Sequence, residues 1–238
     1  MTHVETAMRF VPRDLDILKD VHLHTLLTFD QIWREHFAGR TQPTVSERLT
    51  KLCNEKLLVK LNTGNLYQLG TFKKVGTVYG MTAKALRLLE SFGVSNVGAD
   101  PVQIASSQVL HDVLLVEVVR SLLKKRDCTF INGKNILKSQ VNPDGILRFS
   151  DGRCVAIELE LTQKSDQRYR ELITGYRLES TFDEVWYFVK SQGVAASLRA
   201  AITGYKHGTA DLGKFQIKHV WDFIQIKERK VSNEITHS

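Results

Sequence analysis

The stretch "AIELELTQK", residues 156–164, alternates apolar and acidic side chains, and this pattern sets the expected fold of the second half of the chain. Side chains of a β-strand point alternately to opposite faces, so Ile157 and Leu159 share one face while Glu158 and Glu160 share the other. At a rise of roughly 3.3 Å per residue, the two carboxylates lie about 7 Å apart. We therefore expect a strand with one buried face and one acidic face.

A third carboxylate, that of Asp144, comes just before the strand predicted over "GILRF". Repulsion among such groups is relieved by a divalent cation such as Mg²⁺ or Mn²⁺, which takes several hard oxygen ligands. The pattern predicts a metal site formed by Asp144, Glu158 and Glu160. The alternative is an ordinary half-exposed strand in which Glu alternates with Val or Ile, beside a common "PDG" turn.

The turn between these two strands decides whether Asp144 can join the site. With a strict two-residue turn at Asp151-Gly152, Asp144 pairs with Leu159 and faces away from Glu158. A three-residue turn with a glycine bulge at Gly152, or a kink at residues 143–145, changes the count by one. We predict that one of these irregularities is present.

The segment "SSQVLHDVLLVEVVRSLLKK", residues 106–125, is predicted to be a helix packed between layers, because it is apolar nearly all round. Glu117 falls on its buried face, where it needs a cation, a hydrogen-bond donor or a metal. The alternative is a Glu at the helix margin, paired with a lysine or arginine. His111 is a further candidate for the site, although we favour a core histidine.

The rest of the second half completes a mixed sheet flanked by helices. "SDQRYRELITGYRLES" is helical, with Ser165 as its cap, and its Arg168 and Arg170 are candidate phosphate contacts. Tyr169 and Tyr176 have the spacing of core residues in this helix. "EVWYFVKS" and "KFQIKHVWDF" are predicted strands, with the helix "VAASLRAAI" between them.

The first hundred residues have the element order of a winged helix-turn-helix. A helical pattern runs from Asp14 to Leu26, Thr28 caps a short second helix, and a third covers residues 44–58. A hairpin around Thr63-Gly64-Asn65, a strand and a closing helix follow. The residues predicted to face a DNA major groove are Gln42, Thr44, Ser46, Arg48 and Lys51, and those predicted to meet phosphates are Lys73 and Lys74.

The composition of the whole chain favours an anionic partner. The 33 Lys and Arg residues exceed the 26 Asp and Glu residues, which leaves a net charge of +7. Nucleic acid, and double-stranded DNA in particular, is the leading partner. The alternative is a protein-interaction domain whose basic residues are a solvated helix face.

Cysteine usage and hydropathy bear on the compartment. Three widely spaced cysteines offer neither a disulfide framework nor a CxxC metal pair, which indicates a reducing cytoplasm. No run of roughly 18 apolar residues and no signal pattern occurs, so we expect no association with a membrane. A turn-forming stretch around residue 100 predicts three regions, namely 1–98, 99–227 and a polar tail at 228–238.

The "PD" at 143–144, followed after thirteen residues by "ELE" at 158–160, resembles the PD-(D/E)XK nuclease superfamily in its E-x-E variant. The resemblance implies a restriction-endonuclease-like α/β domain behind the winged helix, with carboxylates that hold a water-activating metal. The family's usual lysine, two residues after the first Glu, is replaced by Glu160. Gln163 or Lys164 is the candidate for its water-orienting role.

The order of modules, with an "LHD" helix at His111 and the acidic residues Asp144, Glu158 and Glu160, resembles the replication-relaxation family, in particular plasmid mobilisation relaxases of the MobC type. That resemblance implies site- and strand-specific nicking at a plasmid transfer origin in the bacterial cytoplasm, helped by an accessory mobilisation protein and a coupling protein.

Several mechanisms and functions remain open from the sequence. A covalent relaxase route would use a tyrosine, with Tyr169 and Tyr176 as candidates, whereas we favour metal-activated water. The main alternative function is a non-catalytic DNA-binding regulator of plasmid replication or transfer with a degenerate nuclease fold. Another is an endonuclease of restriction or transposition type.

Overall fold

The computed structural model describes residues 9–61, 75–94, 104–135, 141–204 and 213–224. Over these ranges the protein is mixed α/β, with seven helices and two sheets. Several predicted features lie outside the described residues: the turn at Thr63-Gly64-Asn65, Lys73 and Lys74, the boundary at residues 98–99, and the tail at 228–238.

The N-terminal module joins four helices to a small antiparallel sheet with strand order β1-β3-β2. Its core is apolar and fully buried at Ile17, Leu18 and Leu49. Its elements are α1 (Pro12–His24), β1 (Leu26–Thr28), α2 (Phe29–His36), α3 (Gln42–Asn54), β2 (Leu58–Leu61), β3 (Val78–Met81) and α4 (Ala83–Ser91).

The first strand departs from the prediction, because the helical pattern predicts a helix as far as Leu26. In the structure α1 ends at His24, and Thr25 takes a positive φ of 67° that no residue pattern signals. Leu26 then pairs with Gly80 of β3. A strand of three residues that are all buried has no alternation to detect. The predicted cap is confirmed, since Thr28 Oγ accepts a hydrogen bond from the Gln31 amide at 3.2 Å.

The second unit is a five-stranded sheet with order β4-β5-β6-β7-β8. The pairs β4-β5 and β5-β6 are antiparallel, whereas β6-β7 and β7-β8 are parallel. Its elements are α5 (Ser106–Leu123), β4 (Cys128–Asn132), β5 (Gly145–Phe149), β6 (Cys154–Glu160), α6 (Asp166–Leu178), β7 (Glu184–Val189), α7 (Gln192–Thr203) and β8 (Phe215–His219).

Strand β6 contributes to two cores, one on each side of the sheet. Ile157 and Leu159 pack in the cluster that includes Val118 of α5, while Ala156 packs in the cluster that includes Tyr169 of α6. The alternative of an ordinary half-exposed strand is therefore wrong, because α6 folds back over the acidic face and buries Glu158 and Glu160.

Helix α5 lies between the two units, as its nearly uniform apolar surface predicts. Val116 belongs to the core of the N-terminal module, Val113 packs with Leu26 of β1, and Val118 packs under the five-stranded sheet. Within the described ranges, none of the helices combines the length and apolar character needed to cross a bilayer.

Candidate active site

The turn between β5 and β6 brings Asp144 to the acidic face. The register sets Gly145 opposite Ile157, so Asp144 comes opposite Glu158. The turn contains three residues and ends at Gly152, whose φ of 91° lies in the left-handed region that favours glycine. The predicted irregular turn is confirmed. We call Asp144, Glu158 and Glu160 the acidic cluster.

The Asp144 carboxylate is held by one of its two oxygens. Oδ2 accepts hydrogen bonds from the Leu159 amide at 2.8 Å and from His111 Nε2 at 3.1 Å. Oδ1 has no hydrogen bond to any described residue. The side chain is 24% exposed, so this oxygen remains available to a ligand.

His111 reaches the acidic cluster, which corrects the favoured prediction of a core histidine. Its Nδ1 donates to Asp112 Oδ1 at 3.2 Å while Nε2 donates to Asp144, so both ring nitrogens serve carboxylates. Burial alone would lower the pKa of His111, but the hydrogen bonds to Asp112 and Asp144 raise it to about 10. His111 is therefore a cation at neutral pH.

Glu158 is buried on the α6 side of the sheet. Its Oε1 accepts a short hydrogen bond from the Tyr176 hydroxyl. Burial first, and then repulsion by Asp144, raise the pKa of Glu158 well above its ordinary value, against the effect of the Tyr176 bond. Repulsion by Glu160 adds to the shift. The carboxyl group is thus a destabilised anion that a cation would stabilise.

Glu160 is 1% exposed and pairs with Lys164, whose ammonium contacts Oε1. Burial raises the pKa of Glu160, and the Lys164 contact opposes that rise. Of the two candidates for the missing lysine, Lys164 therefore lies at the cluster. Gln163 is exposed and makes no hydrogen bond to a described residue.

Three buried tyrosines stand behind the carboxylates. Tyr169 and Tyr176 belong to α6 and are fully buried, as their core spacing predicts. Burial and the charge of Glu158 raise the pKa of Tyr176 far above its ordinary value. Tyr187 lies opposite Glu158 on β7, and its buried hydroxyl has no partner among the described residues.

The donor chemistry of the acidic cluster fits Mg²⁺ or Mn²⁺. Each carboxylate has one oxygen held by a protein donor and a second oxygen without a hydrogen bond to a described residue. Oxygen donors of this kind suit hard divalent cations. In the geometry of the described ranges, no group of three or more acidic, histidine or cysteine side chains is arranged to hold a metal ion.

Glu117 does not belong to the acidic cluster, although the sequence made it a candidate. Arg34 donates to both of its oxygens at 2.8 and 3.0 Å, and Gln31 donates to Oε1 at 2.9 Å. Glu117 follows His111 by six residues, so at about 100° per residue the two side chains point about 120° apart. The alternative, a margin glutamate paired with arginine, is what the structure contains.

One of the five α3 residues predicted to face DNA is half-buried instead of exposed. Arg48 turns inward and makes a two-pronged ion pair with the fully buried Asp14. An arginine that neutralises a buried carboxylate is not free to read a base. The other predicted residues of this helix are exposed, and these are Gln42, Thr44, Ser46 and Lys51.

The two predicted phosphate contacts of α6 are also exposed. Arg168 pairs with Glu171 at 3.1 Å, one turn along the helix surface, and Arg170 is also exposed. Exposure keeps both side chains within reach of a bound phosphate, and their role remains a prediction.

A cavity of about 300 Å³ opens beside Asp144. Its charged lining residues, Asp112 and Lys134, were not singled out from the sequence. The "LHD" motif carried a signal, because an aspartate next to the histidine can orient it. Lys134 carried none, since its contact depends on how the β4–β5 connection folds. The cavity is lined by Asp112, Leu115, Asn132, Gly133, Lys134, Asn142, Pro143 and Asp144.

Fold and site together define a mixed α/β protein with a buried acidic cluster beside a histidine and a lysine. The model of the replication-relaxation family matches residues 18–181, which is more than half of the chain. The protein therefore belongs to the replication-relaxation family, and membership indicates a role in plasmid replication or relaxation. Searches among curated proteins and among solved structures returned no significant match.

Proposed function

We propose that this protein is a divalent-metal-dependent DNA nickase that cuts one strand at a plasmid transfer origin during mobilisation. The observation that carries the proposal is the acidic cluster, in which each of the three carboxylates has one oxygen without a hydrogen bond to any described residue. A nickase of this kind would use Mg²⁺ or Mn²⁺ as its cofactor and double-stranded plasmid DNA as its substrate.

The order of elements supports a nuclease domain of the PD-(D/E)XK type. Helix α5 precedes three antiparallel strands, α6 crosses over, and β7 adds to the sheet in parallel. Asp144 enters at the start of β5 and the two glutamates at the end of β6, so the carboxylates meet on one face. A nuclease domain of this type would place its metal ligands at that edge of the sheet.

Local charge supports a bound cation. Asp112 and the acidic cluster contribute four carboxyl groups, whereas the nearby cations are His111, Lys134 and Lys164. A metal held by Asp144, Glu158 and Glu160 would polarise the phosphate and lower the pKa of a water molecule. Lys164 is 35% exposed and is the side chain placed to approach that water or the phosphate.

Hydrolysis by water is favoured over attack by a tyrosine of α6. Tyr176 is fully buried, its hydroxyl donates a hydrogen bond to Glu158, and its pKa is raised, all of which oppose formation of a phenolate nucleophile. Tyr169 is equally buried, and its hydroxyl oxygen accepts a bond from the Lys164 amide at 3.3 Å. DNA would have to displace α6 to reach either hydroxyl.

We assign choice of the DNA site to the N-terminal module, as a winged helix. The sequence of α1, β1, α2, α3, β2 and β3 has the order of that motif. The exposed residues of α3 would enter the major groove, with Arg168 and Arg170 on the nuclease side. An accessory mobilisation protein and a coupling protein are the partners that a mobilisation role requires.

The test is nicking of supercoiled plasmid DNA that carries candidate transfer origins, with Mg²⁺ or Mn²⁺. Wild type should produce open circles, and Asp144→Ala and Glu158→Ala should lose at least about a hundredfold in rate, the upper range for disturbed metal sites. Glu171→Ala, an exposed acid of α6, is the matched control. If the product's 5′ end carries covalently attached protein, hydrolysis by water is the wrong mechanism.

A non-catalytic DNA-binding regulator is the second candidate. It is favoured by the fact that every carboxylate of the cluster already has a protein donor, so the fold does not need an ion for its stability. This function predicts tight binding of origin DNA with no cleavage at any metal concentration, and equal binding by wild type and Glu158→Ala.

A further inference from the structure

We infer that Asp112 and Lys134 are positioning residues of this site, which hold His111 against Asp144. The inference rests on the proposed function for its effect on catalysis, and the contacts that carry it lie outside the acidic cluster. Neither residue touches Glu158 or Glu160, so each would act only through His111.

The contacts of Asp112 suit a residue that orients His111, not one that binds a ligand. Its side chain is 4% exposed, and each of its oxygens meets a different cation, with Oδ1 on His111 Nδ1 at 3.2 Å and Oδ2 on Lys134 Nζ. A carboxylate whose two oxygens each face a protein cation is already neutralised, so it gains less from a metal than the acids of the cluster do. Its bond to Nδ1 fixes the plane of the imidazole and directs Nε2 at Asp144.

Lys134 is fixed by the same turn that fixes the Asp144 main chain. The Lys134 amide donates to Asn132 Oδ1 at 2.9 Å, and the neighbouring Gly133 amide donates to the Asp144 carbonyl oxygen at 2.9 Å. A Cβ on Gly133 would overlap the carbonyl oxygen of Pro143, so only glycine permits this approach. One short turn thus holds Asp144 by its backbone and, through Lys134 and Asp112, by its side chain.

The consequence concerns the free oxygen of Asp144. The Leu159 amide and His111 both bond to Oδ2, and together they fix the orientation of the carboxylate. The direction in which Oδ1 points is therefore fixed as well. Without Asp112, His111 keeps a single contact and can rotate away, so Asp144 loses one of its two anchors. Groups that orient a ligating carboxylate typically change activity or metal affinity by about 10- to 100-fold.

The first experiment compares steady-state nicking by Asp112→Ala and Lys134→Ala with wild type. We expect kcat to fall about 10- to 100-fold in both variants, with little change in the KM for DNA. Lys134→Arg should restore most of the rate, because it keeps a cation at Asp112. Asp127→Ala changes an exposed aspartate in the connection between α5 and β4, and this variant should behave as wild type. A raised KM with unchanged kcat would make Lys134 a DNA contact and overturn the inference.

The second experiment does not need cleavage. The Leu159 amide bonds to Asp144 Oδ2, so its hydrogen exchange, measured by NMR, reports how firmly Asp144 is held. Asp112→Ala should accelerate this exchange by about tenfold, the factor that corresponds to one hydrogen bond, while the other β6 amides keep their rates and show that the fold is intact. Unchanged Leu159 exchange in both alanine variants overturns the inference, even if wild type nicks DNA. Wild type that fails to nick, with accelerated exchange, overturns only the proposed function.

Discussion

Buried and half-buried acids occur in two regions of the molecule, and they differ in how many of their oxygens are bound by described residues. In and beside the N-terminal module, Asp14, Asp20 and Glu117 each have both oxygens facing cations or donors. We call these the paired acids. In the acidic cluster, each carboxylate has one oxygen bound by a protein donor and a second oxygen without a hydrogen bond in the described part of the chain.

The difference separates acids that hold the fold together from acids that can still bind a ligand. Glu117 joins α5 to Arg34 of α2, and Asp20 of α1 accepts from Arg120 of α5 at 2.5 Å. Both oxygens of each of these carboxylates already contact a cation or a hydrogen-bond donor. The acidic cluster has mutual repulsion and free oxygens, which is the condition that a cation relieves. Burial of an acid alone therefore does not single out a candidate ligand in this protein, whereas incomplete pairing does.

The change expected to have the largest effect on this contrast is Asp14→Asn. It leaves Arg48 without a counterion next to a fully buried side chain, so the free energy of unfolding should fall by about 3–5 kcal/mol. Urea denaturation measures the loss. Glu47→Gln, which breaks the exposed pair with Lys51, is the control and should change stability little. Equal effects of the two changes would contradict the structural role of the paired acids.

A second test uses the pH dependence of His24, which lies 3.5 Å from Asp20. Burial lowers the pKa of His24 from 6.5 to about 4, against the attraction of Asp20. Between pH 6.5 and 4, His24 therefore binds a proton in the unfolded chain but stays neutral in the folded chain. The free energy of unfolding consequently falls as the pH falls through this range. The loss should reach about 3 kcal/mol.

This loss should be measured as the difference between wild type and His24→Gln, because other groups titrate in the same window. Thermal or urea unfolding at several pH values supplies both curves. If the two proteins lose stability in parallel as the solution is acidified, His24 is not the neutral buried group that the structure contains. His111 should not contribute below pH 6, since it is then protonated in both states.

A third test moves the acidic cluster without changing its charges. Gly133→Ala forces the added Cβ against the Pro143 carbonyl, and overpacking of this kind costs about 1–3 kcal/mol. The Gly133 amide also holds the Asp144 carbonyl, so the added Cβ should displace Asp144. The rate of nicking should therefore fall even under conditions in which the variant remains folded. Gly39→Ala is a control for loop glycine changes away from the site, since a Cβ there meets no neighbour although its φ is 74°. Full nicking activity in Gly133→Ala would show that the position of Asp144 is not critical.

The smallest expected effect has the opposite sign to the first. Glu158→Gln keeps the shape of the side chain and removes an acid whose ionisation is opposed by burial and by the charges of Asp144 and Glu160, so stability at neutral pH should rise by about 1 kcal/mol. Nicking should be lost at the same time. A destabilised Glu158→Gln protein would place Glu158 with the paired acids and remove the contrast between the two regions.

Much of the site could be predicted from local patterns. The alternation in β6 places both glutamates on one face, and the count of residues between Asp144 and Glu158 requires an irregular turn, which Gly152 forms. The cap at Thr28 and the position of α5 between layers are predictable for similar reasons. These features depend on neighbours within a few residues or on one hydrophobic pattern.

Other features could not be predicted, because they depend on partners distant in the chain. Arg48 has the position of a DNA-reading residue until α1 brings the buried Asp14 beside it. Glu117 and His111 are both site candidates by sequence, yet α5 carries them to different units. Helical geometry alone separates these two side chains, but it does not assign which one reaches the acidic cluster.

Local sequence was sufficient to specify most of the strands and helices and the shared face of Glu158 and Glu160, because period and turn chemistry are local properties. Tertiary packing, in contrast, selected which acids are paired and which remain half-bound. That distinction depends on which cations arrive from α2, α3, α5 and the Gly133–Asn135 turn, and folding brings them from positions up to 100 residues away. Pairing is a long-range property, and it is pairing that distinguishes a structural carboxylate from a candidate ligand.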